Sequence, residues 1–504
     1  MSATGDKGDA QSVNQSEVGS MAAVDLDVAE GLGLGSDQVP HDINGFSILS
    51  LGFNICNSWV GMASSLAIGI TQGGTVTVLY GAILTTIVYL ATAATLAELS
   101  AVYPTAGGQY HFTSLLAPAR FSKGLSYACG VIAAFSWVSL SAAVAILNAQ
   151  WIIAVAVIWN PGYLPHTWHY FLIYQMLSFV LLLSNIFVVK RAPWMHDIGF
   201  YLTLTSFFVI LVTCVSRSDP KQSNEFVWTT WINATGWPDG ICFLTGLVNP
   251  AFMYAGLDAA LHLAEECTRP ERTVPKAVMS SVVIGFVTAF SFAVAMLYSL
   301  SDFDAVLATA TGMPIVEIFL QATRSKAATT AFAIMSLCIG FFCLNAIQQT
   351  SSRLTWALAR DNAFSFSHVI SRIHPTLHVP VWALLANYVV IFCCGCIYMA
   401  STTAFNALVG IGIILQQASF AFPAALLLYN HRSTKFLPTT APFRLPTLIG
   451  WTANILVVIS SIFWTIFFHF PVTLPVKSSN MSVINWFIHA GKHYRGPRIE
   501  FGAA

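Results

Sequence analysis

Long apolar runs separated by short polar segments recur from Phe46 to His469. A helix needs roughly 20 apolar residues to cross a bilayer, where lipid leaves each peptide N–H and C=O to be bonded within its own segment. Runs of that length lie at Phe46–Ile70, Val76–Leu99, Leu125–Trp159, Tyr170–Val189, Trp194–Val215, Gly240–Leu263, Val278–Leu300, Thr330–Ile347, Val381–Ala400, Phe405–Tyr429 and Leu448–His469. The pattern predicts an all-α polytopic membrane protein of eleven spans over residues 45–470. Residues 1–44 are polar, rich in Gly, Ser and Asp, and predict a disordered tail. After Pro471 only a short apolar core, Val483–Ile488, remains, so 471–504 reads as a truncated or re-entrant last span with a C-terminal tail.

Composition agrees with that pattern. Hydrophobic residues make up 56% of the 504-residue chain and charged residues 9%, against about a quarter charged in soluble domains. The zero net charge gives no reason to expect a nucleic-acid partner. The tail lacks the basic start and short apolar core of a signal peptide, so the first span is expected to direct insertion. The cysteine group Cys393, Cys394 and Cys396 sits inside a span with no His or carboxylate beside it, which favours packing over metal binding. No Ser-His-Asp set, HExxH or phosphate-binding glycine loop occurs, so neither an enzyme nor a cofactor is expected.

Lys and Arg resist translocation and set the threading. With the tail inside, the inner loops hold Arg120, Lys123, Lys190, Arg191, Arg269, Arg272, Lys276, Arg353, Arg360, Arg372, Arg432, Lys435 and Arg444. The outer loops up to the last span hold only Arg217, Lys221, Arg324 and Lys326. A cytoplasmic N terminus is therefore expected, in a multi-pass protein of the plasma membrane. Asn233-Ala234-Thr235 then falls outside as a glycosylation sequon. Eleven spans leave Lys492, Arg495 and Arg498 outside, against the same rule.

Two spans carry interruptions at matching positions. The first holds Asn54 and then Cys56, Asn57, Ser58, Trp59, Val60 and Gly61; the sixth holds Asn249 and Pro250, then Phe252, Tyr254, Ala255, Gly256 and Asp258. Pro250 removes a helical hydrogen bond and crowds the preceding turn. Interrupted helices five spans apart are expected where two inverted repeats of five spans enclose a midplane site. Free N–H groups at a half-helix start suit a carboxylate, and free carbonyls at a half-helix end suit an ammonium or alkali cation. Trp59, Phe252 and Tyr254 offer ring faces to an ammonium, or simply pack. The candidate substrate site is thus Cys56 to Gly61 with Asn249, Phe252, Tyr254, Ala255 and Gly256.

Charge inside a span is expensive and marks function. Asp258 is placed to bind a cation, take up a proton or pair with a base. Glu98, Glu265 and Glu266 end their spans on the inner side, near Arg269, Arg272, Arg353 and Arg360 in the threading, either as ion pairs of a gate or as a solvated interface.

Five stretches resemble the amino acid–polyamine–organocation superfamily, in its fungal amino acid, choline and GABA permease branch. They are Asn57-Ser58-Trp59-Val60-Gly61 with Gly73-Gly74; Ala97-Glu98-Leu99 with Tyr103-Pro104-Thr105-Ala106-Gly107-Gly108-Gln109-Tyr110; Tyr254 to Asp258 with Ala264-Glu265-Glu266-Cys267, Pro270 and Pro275; Arg353 to Asn362; and Asn485-Trp486-Phe487-Ile488 with His493 to Pro497. The resemblance implies a twelve-span secondary active transporter of an amino acid or related amine, such as GABA, choline or a polyamine. It further implies alternating access, usually with a proton as the coupling ion, and a substrate held by the backbone around Cys56–Gly61 and Phe252–Gly256. A transporter-like nutrient receptor or a channel of the same fold is the alternative. Where relatives have a full twelfth span before the Asn-Trp-Phe motif, this chain has only Ser482, Val483 and Ile484.

Overall fold

The computed structural model describes residues 44–188, 194–471 and 473–474, with the side chains of 402–409 left aside. The tail and the shortened last span lie outside these residues. Nine helices among them are long and apolar enough to cross a membrane: Gly74–Val102, Ser122–Trp159, Thr167–Phe187, Trp194–Arg217, Pro270–Ser299, Lys326–Arg360, Val381–Ala400, Gly410–Tyr429 and Thr447–Phe467. The helix containing Gly410–Tyr429 starts at Thr402. They are the second to fifth and the seventh to eleventh spans. The other two expected spans cross in pieces.

The first span runs as Gly45–Cys56, Ser58–Ser64 and Leu66–Thr71. Asn57, at φ 39° and ψ 47°, occupies the left-handed region between the first two pieces. Asn is among the few residues whose short polar side chain tolerates that conformation. The sixth span is more fragmented, with helices at Asp239–Gly246 and Val248–Ala251, a 3-10 turn at Phe252–Tyr254, a helix at Ala259–His262 and a second 3-10 turn at Ala264–Glu266. Pro250 lies inside the second piece. The chain leaves the helical path later, at Ala255 (ψ 125°) and Gly256 (φ 82°).

Packing follows an exchange symmetry between spans one to five and six to ten. The second span packs on the seventh and the third on the eighth, each pair occupying equivalent places in the two halves. The third packs on the tenth as the eighth packs on the fifth, and the third on the fourth as the eighth on the ninth. The first contacts the seventh, as pieces of the sixth contact the second. That pairing is what two inverted five-span repeats require. The eleventh lies against the second and tenth, outside the repeat.

Loop contacts confirm which loops share a face. Tyr103 donates to the Phe436 carbonyl, Tyr110 to Asp361 and the Ala106 N–H to Glu265, joining the loops after spans two, six, eight and ten. These are the loops rich in Arg and Lys, and their side of the bundle is called here the basic face. On the opposite face Gly73 donates to Ile232, Gln222 to Tyr298 and the Trp237 indole to Pro471. Asn233 pairs there with Gln72 in an isolated bridge, and its side-chain amide donates to Trp237 and Asp239. Those bonds from Asn233 and Trp231 hold the Asp239 carboxyl below its usual range.

At the second break, Gly256 is a position where glycine is required. Its φ is positive, and a Cβ there would stand 2.4 Å from Ile55 Cγ2 on the first span. Gly256→Ala is expected to lower the melting temperature in detergent, the left-handed backbone alone costing about 1–2 kcal/mol. Gly240→Ala, with nothing within 4 Å of its new Cβ, is the control. Equal melting temperatures for the two variants would contradict this reading of the break.

Candidate functional site

The two interruptions meet. Ser58 Oγ donates to the Met253 carbonyl at 2.6 Å, joining the piece after the first break to the turn before the second. Gly61 sits so close that a Cβ would lie 3.2 Å from the Phe252 carbonyl oxygen. The predicted residues from Cys56 to Gly61 are thus brought against Phe252–Gly256. Asn249 lies further along, donating to the Met62 carbonyl at 3.1 Å and to Ser65 Oγ at 2.7 Å. It braces the two spans where sequence alone placed it among substrate contacts.

Aromatic rings surround the junction. Tyr254 packs at 4.7 Å against Tyr89 of the second span with the rings tilted, and its hydroxyl bonds Thr86 at 2.8 Å. Trp59 packs at 4.8 Å on Phe292 of the seventh span and is fully buried, with its indole N–H unpartnered. The Asn57 Oδ1 beside it is also buried without a partner.

Asp258 is 1% exposed and accepts bonds from four separate segments. Gln109 Nε2 reaches Oδ2 at 2.5 Å, Trp137 Nε1 at 3.1 Å and His262 Nε2 at 3.0 Å, while Gln416 Nε2 reaches Oδ1 at 3.0 Å. The same Gln416 amide turns its oxygen to the Gly256 N–H at 3.1 Å. One side chain therefore caps the broken backbone and binds the buried acid. Sequence reading missed all four partners. Trp137 and Gln416 sit inside long spans among other uncharged polar residues that periodicity does not single out, and Gln109 precedes the third span. Only His262, four residues after Asp258, left a signal, since i and i+4 share a helix face.

The acids at the basic face pair separately. Glu265 receives Arg360 through both guanidinium nitrogens at 3.1 Å and the Ala106 N–H at 3.1 Å, while the guanidinium stacks on Trp356. Glu266 binds Arg353 at 2.6 Å. Glu98 does not join that cluster, as the threading suggested. Its partner is Arg432, at 2.6 Å and 2.8 Å, with a further bond from the Leu445 N–H. Arg432 begins the loop after the tenth span, and sequence distance gave no hint of it. Arg269 and Arg272 take part in none of the ion pairs among the described residues.

Broken helices joined in the middle of an inverted repeat, with charge confined to one buried acid and to the ends of spans, define a solute carrier. A family model described as amino acid permease matches residues 43–490. Over 441 residues the chain is 35% identical to the choline transporter of Saccharomyces cerevisiae, covering 87% of this chain and 77% of that one. It is 30% identical over 471 residues to the swainsonine transporter of Arthroderma benhamiae, covering 91% and 92%. It is 27% identical over 501 residues to the 7-keto 8-aminopelargonic acid transporter of S. cerevisiae, covering 87% and 88%. The chain belongs to the amino acid permease family of the amino acid–polyamine–organocation superfamily, and is a secondary transporter of its fungal permease branch.

Glu98 and Arg432 supply a stability test. Both are buried, so Arg432→Ala leaves a carboxylate without its counter-charge, a change that costs about 3–5 kcal/mol. Arg432→Ala is expected to melt well below the wild type, and Arg432→Leu with Glu98→Leu to recover part of the loss. A wild-type melting temperature for Arg432→Ala would contradict the assignment.

Proposed function

We propose that this transporter carries a small solute with an ammonium group, such as choline, an amino acid, GABA or a polyamine, between its broken first and sixth spans, driven by protons. The observation that supports this reading is the junction itself. Ser58 and Met253 hold the two breaks together beneath the Tyr89–Tyr254 ring pair, and Asp258 is the one acid there. Ring faces and half-helix carbonyls attract an ammonium without needing a second acid. The residues from Cys56 to Gly61 and from Phe252 to Gly256 bind the solute. A carboxylate on the solute meets the N–H groups after Asn57. The names of the similar transporters, with choline, swainsonine and 7-keto 8-aminopelargonic acid among them, are of small nitrogen-bearing molecules.

Asp258 serves coupling, and the pairs Glu265–Arg360 and Glu266–Arg353 serve as a gate at the basic face. That face is cytoplasmic, and the membrane is the plasma membrane. The ion pairs link the end of the sixth span to the eighth, and the Ala106 N–H adds the loop after the second. No Lys lies in the fifth span to act as a built-in cation there, and an exchangeable proton is the coupling ion in this reading.

A competition panel of amines and amino acids against labelled choline, in cells lacking their own choline uptake, tests the assignment. Accumulation against the gradient and its collapse with a protonophore are expected. Binding without accumulation would instead indicate a receptor, and accumulation indifferent to a protonophore would remove the proton. Asp258→Asn is expected to insert normally and to lose accumulation; wild-type uptake with a wild-type pH dependence would contradict its role.

A further inference from the structure

Hydrogen-bond geometry constrains where hydrogens can sit in the Asp258–His262 pair. His262 is fully buried. Its Nδ1 lies 2.9 Å from the Ala106 carbonyl oxygen, which can only accept, so Nδ1 bears a hydrogen. Its Nε2 lies 3.0 Å from Asp258 Oδ2, and that oxygen already takes donor-only bonds from the Gln109 amide and the Trp137 indole. The hydroxyl oxygen of a neutral carboxylic acid is a poor acceptor for two N–H groups, whereas a carboxylate oxygen accommodates them and a third. The crowding of donors on Oδ2 favours Nε2 as the seat of the proton between them. With both imidazole nitrogens donating, the pair is an imidazolium beside a carboxylate, the arrangement on which the inference below is built.

We infer that His262 is the residue that carries the coupling proton, with Asp258 as its fixed counter-ion, and that the proton is read out through Ala106. This deepens the proton-driven reading above and rests on it. When the imidazolium gives its proton to water, the neutral ring keeps one N–H and cannot serve two acceptors. Facing a carboxylate, the hydrogen stays on Nε2, and the bare Nδ1 lone pair then opposes the Ala106 carbonyl. That peptide segment is shared with the gate, since the Ala106 N–H donates to Glu265, which in turn holds Arg360. Proton loss thus weakens the grip of the sixth span on the loop after the second, at the residue that completes the gate.

Surrounding charges leave this pair in control. Beyond Ala106, the imidazole meets the Trp137 ring edge-on. On the packed elements, Arg353 and Arg360 of the eighth span are matched by Glu266 and Glu265 of the following 3-10 turn. Cys56 on the first span, Cys129 on the third and Cys343 on the eighth are buried thiols. The seventh span contributes Glu271, Arg272 and Lys276 in its first two turns, where Arg272 and Lys276 are exposed. Buried His196, at the start of the fifth span, and His111, near Glu265 and Arg360, are the alternatives, and burial pushes the His111 imidazole below the usual range.

The test uses the full chain in proteoliposomes, with labelled choline as solute and an imposed pH gradient. His262→Gln is expected to lose proton-driven accumulation and the pH dependence of uptake, while solute exchange across the membrane persists and shows that the variant is folded. His111→Gln is expected to keep the wild-type pH profile. Proton-driven accumulation by His262→Gln with an unchanged profile would overturn the inference and leave the broader reading standing. Failure of the wild type to respond to a pH gradient would defeat the broader reading itself. If His262→Gln shows no exchange, infrared difference spectra of the wild type between about pH 5 and pH 8, where imidazoles titrate, decide the matter. Imidazole bands without a carboxylic-acid carbonyl band support His262, and a carboxylic-acid band that vanishes in Asp258→Asn moves the proton to the acid.

Discussion

A peptide group in hydrocarbon has no water to bond, so a membrane helix can be interrupted only where other groups take over its hydrogen bonds. At Gly256 that substitute is Gln416, whose amide oxygen accepts the freed N–H and whose amide nitrogen reaches Asp258. At the first break Ser58 fills a similar place toward Met253. The Ser58 link crosses between the two broken helices, the Gln416 link joins the sixth span to the tenth within one repeat, and the bonds from Gln109 and Trp137 to Asp258 cross between the repeats. The interruptions, the buried acid and the relative placement of the repeats therefore depend on one another. Removing the side chains that satisfy the breaks would leave unpaired groups in lipid.

The same economy explains the ion pairs. Two link the sixth span to the eighth, and the third links the second span to the loop after the tenth, tying a core span to the segment that leads out of the repeat. Each involves a buried or half-buried acid, where losing the partner is far more disruptive than at a solvated surface. A gate made of such pairs is closed firmly or open, because a partial opening leaves charges unmatched. His262 and Glu265 both hold Ala106, which places the buried imidazole and the Glu265–Arg360 pair on one short peptide segment.

Much of the fold was legible in the sequence because lipid imposes simple rules. Length and hydropathy located the spans within a few residues, although the second, seventh and eighth extend beyond their apolar cores as polar ends. The Asn57 break was visible from a cluster of small polar residues. In the sixth span Pro250 marked the irregular region, but the departure from helix falls at Ala255 and Gly256, where the left-handed backbone and the contact with Ile55 demand glycine. Partners of buried polar groups were not legible. Glu98 meets Arg432 across the bundle, and Asp258 meets Gln109, Trp137 and Gln416 from three other segments. Helical periodicity reports which face a residue is on, not which distant helix lies opposite. His262, one turn from Asp258, was the partner that periodicity could have supplied.

A density map of the full protein in a lipid nanodisc, with a saturating ammonium solute such as choline, addresses the central claim most directly. The account predicts both helices interrupted near mid-membrane and solute density between Cys56–Gly61 and Phe252–Gly256, within reach of the Tyr89 and Tyr254 rings. Continuous first and sixth helices, or solute bound away from their junction, would contradict it.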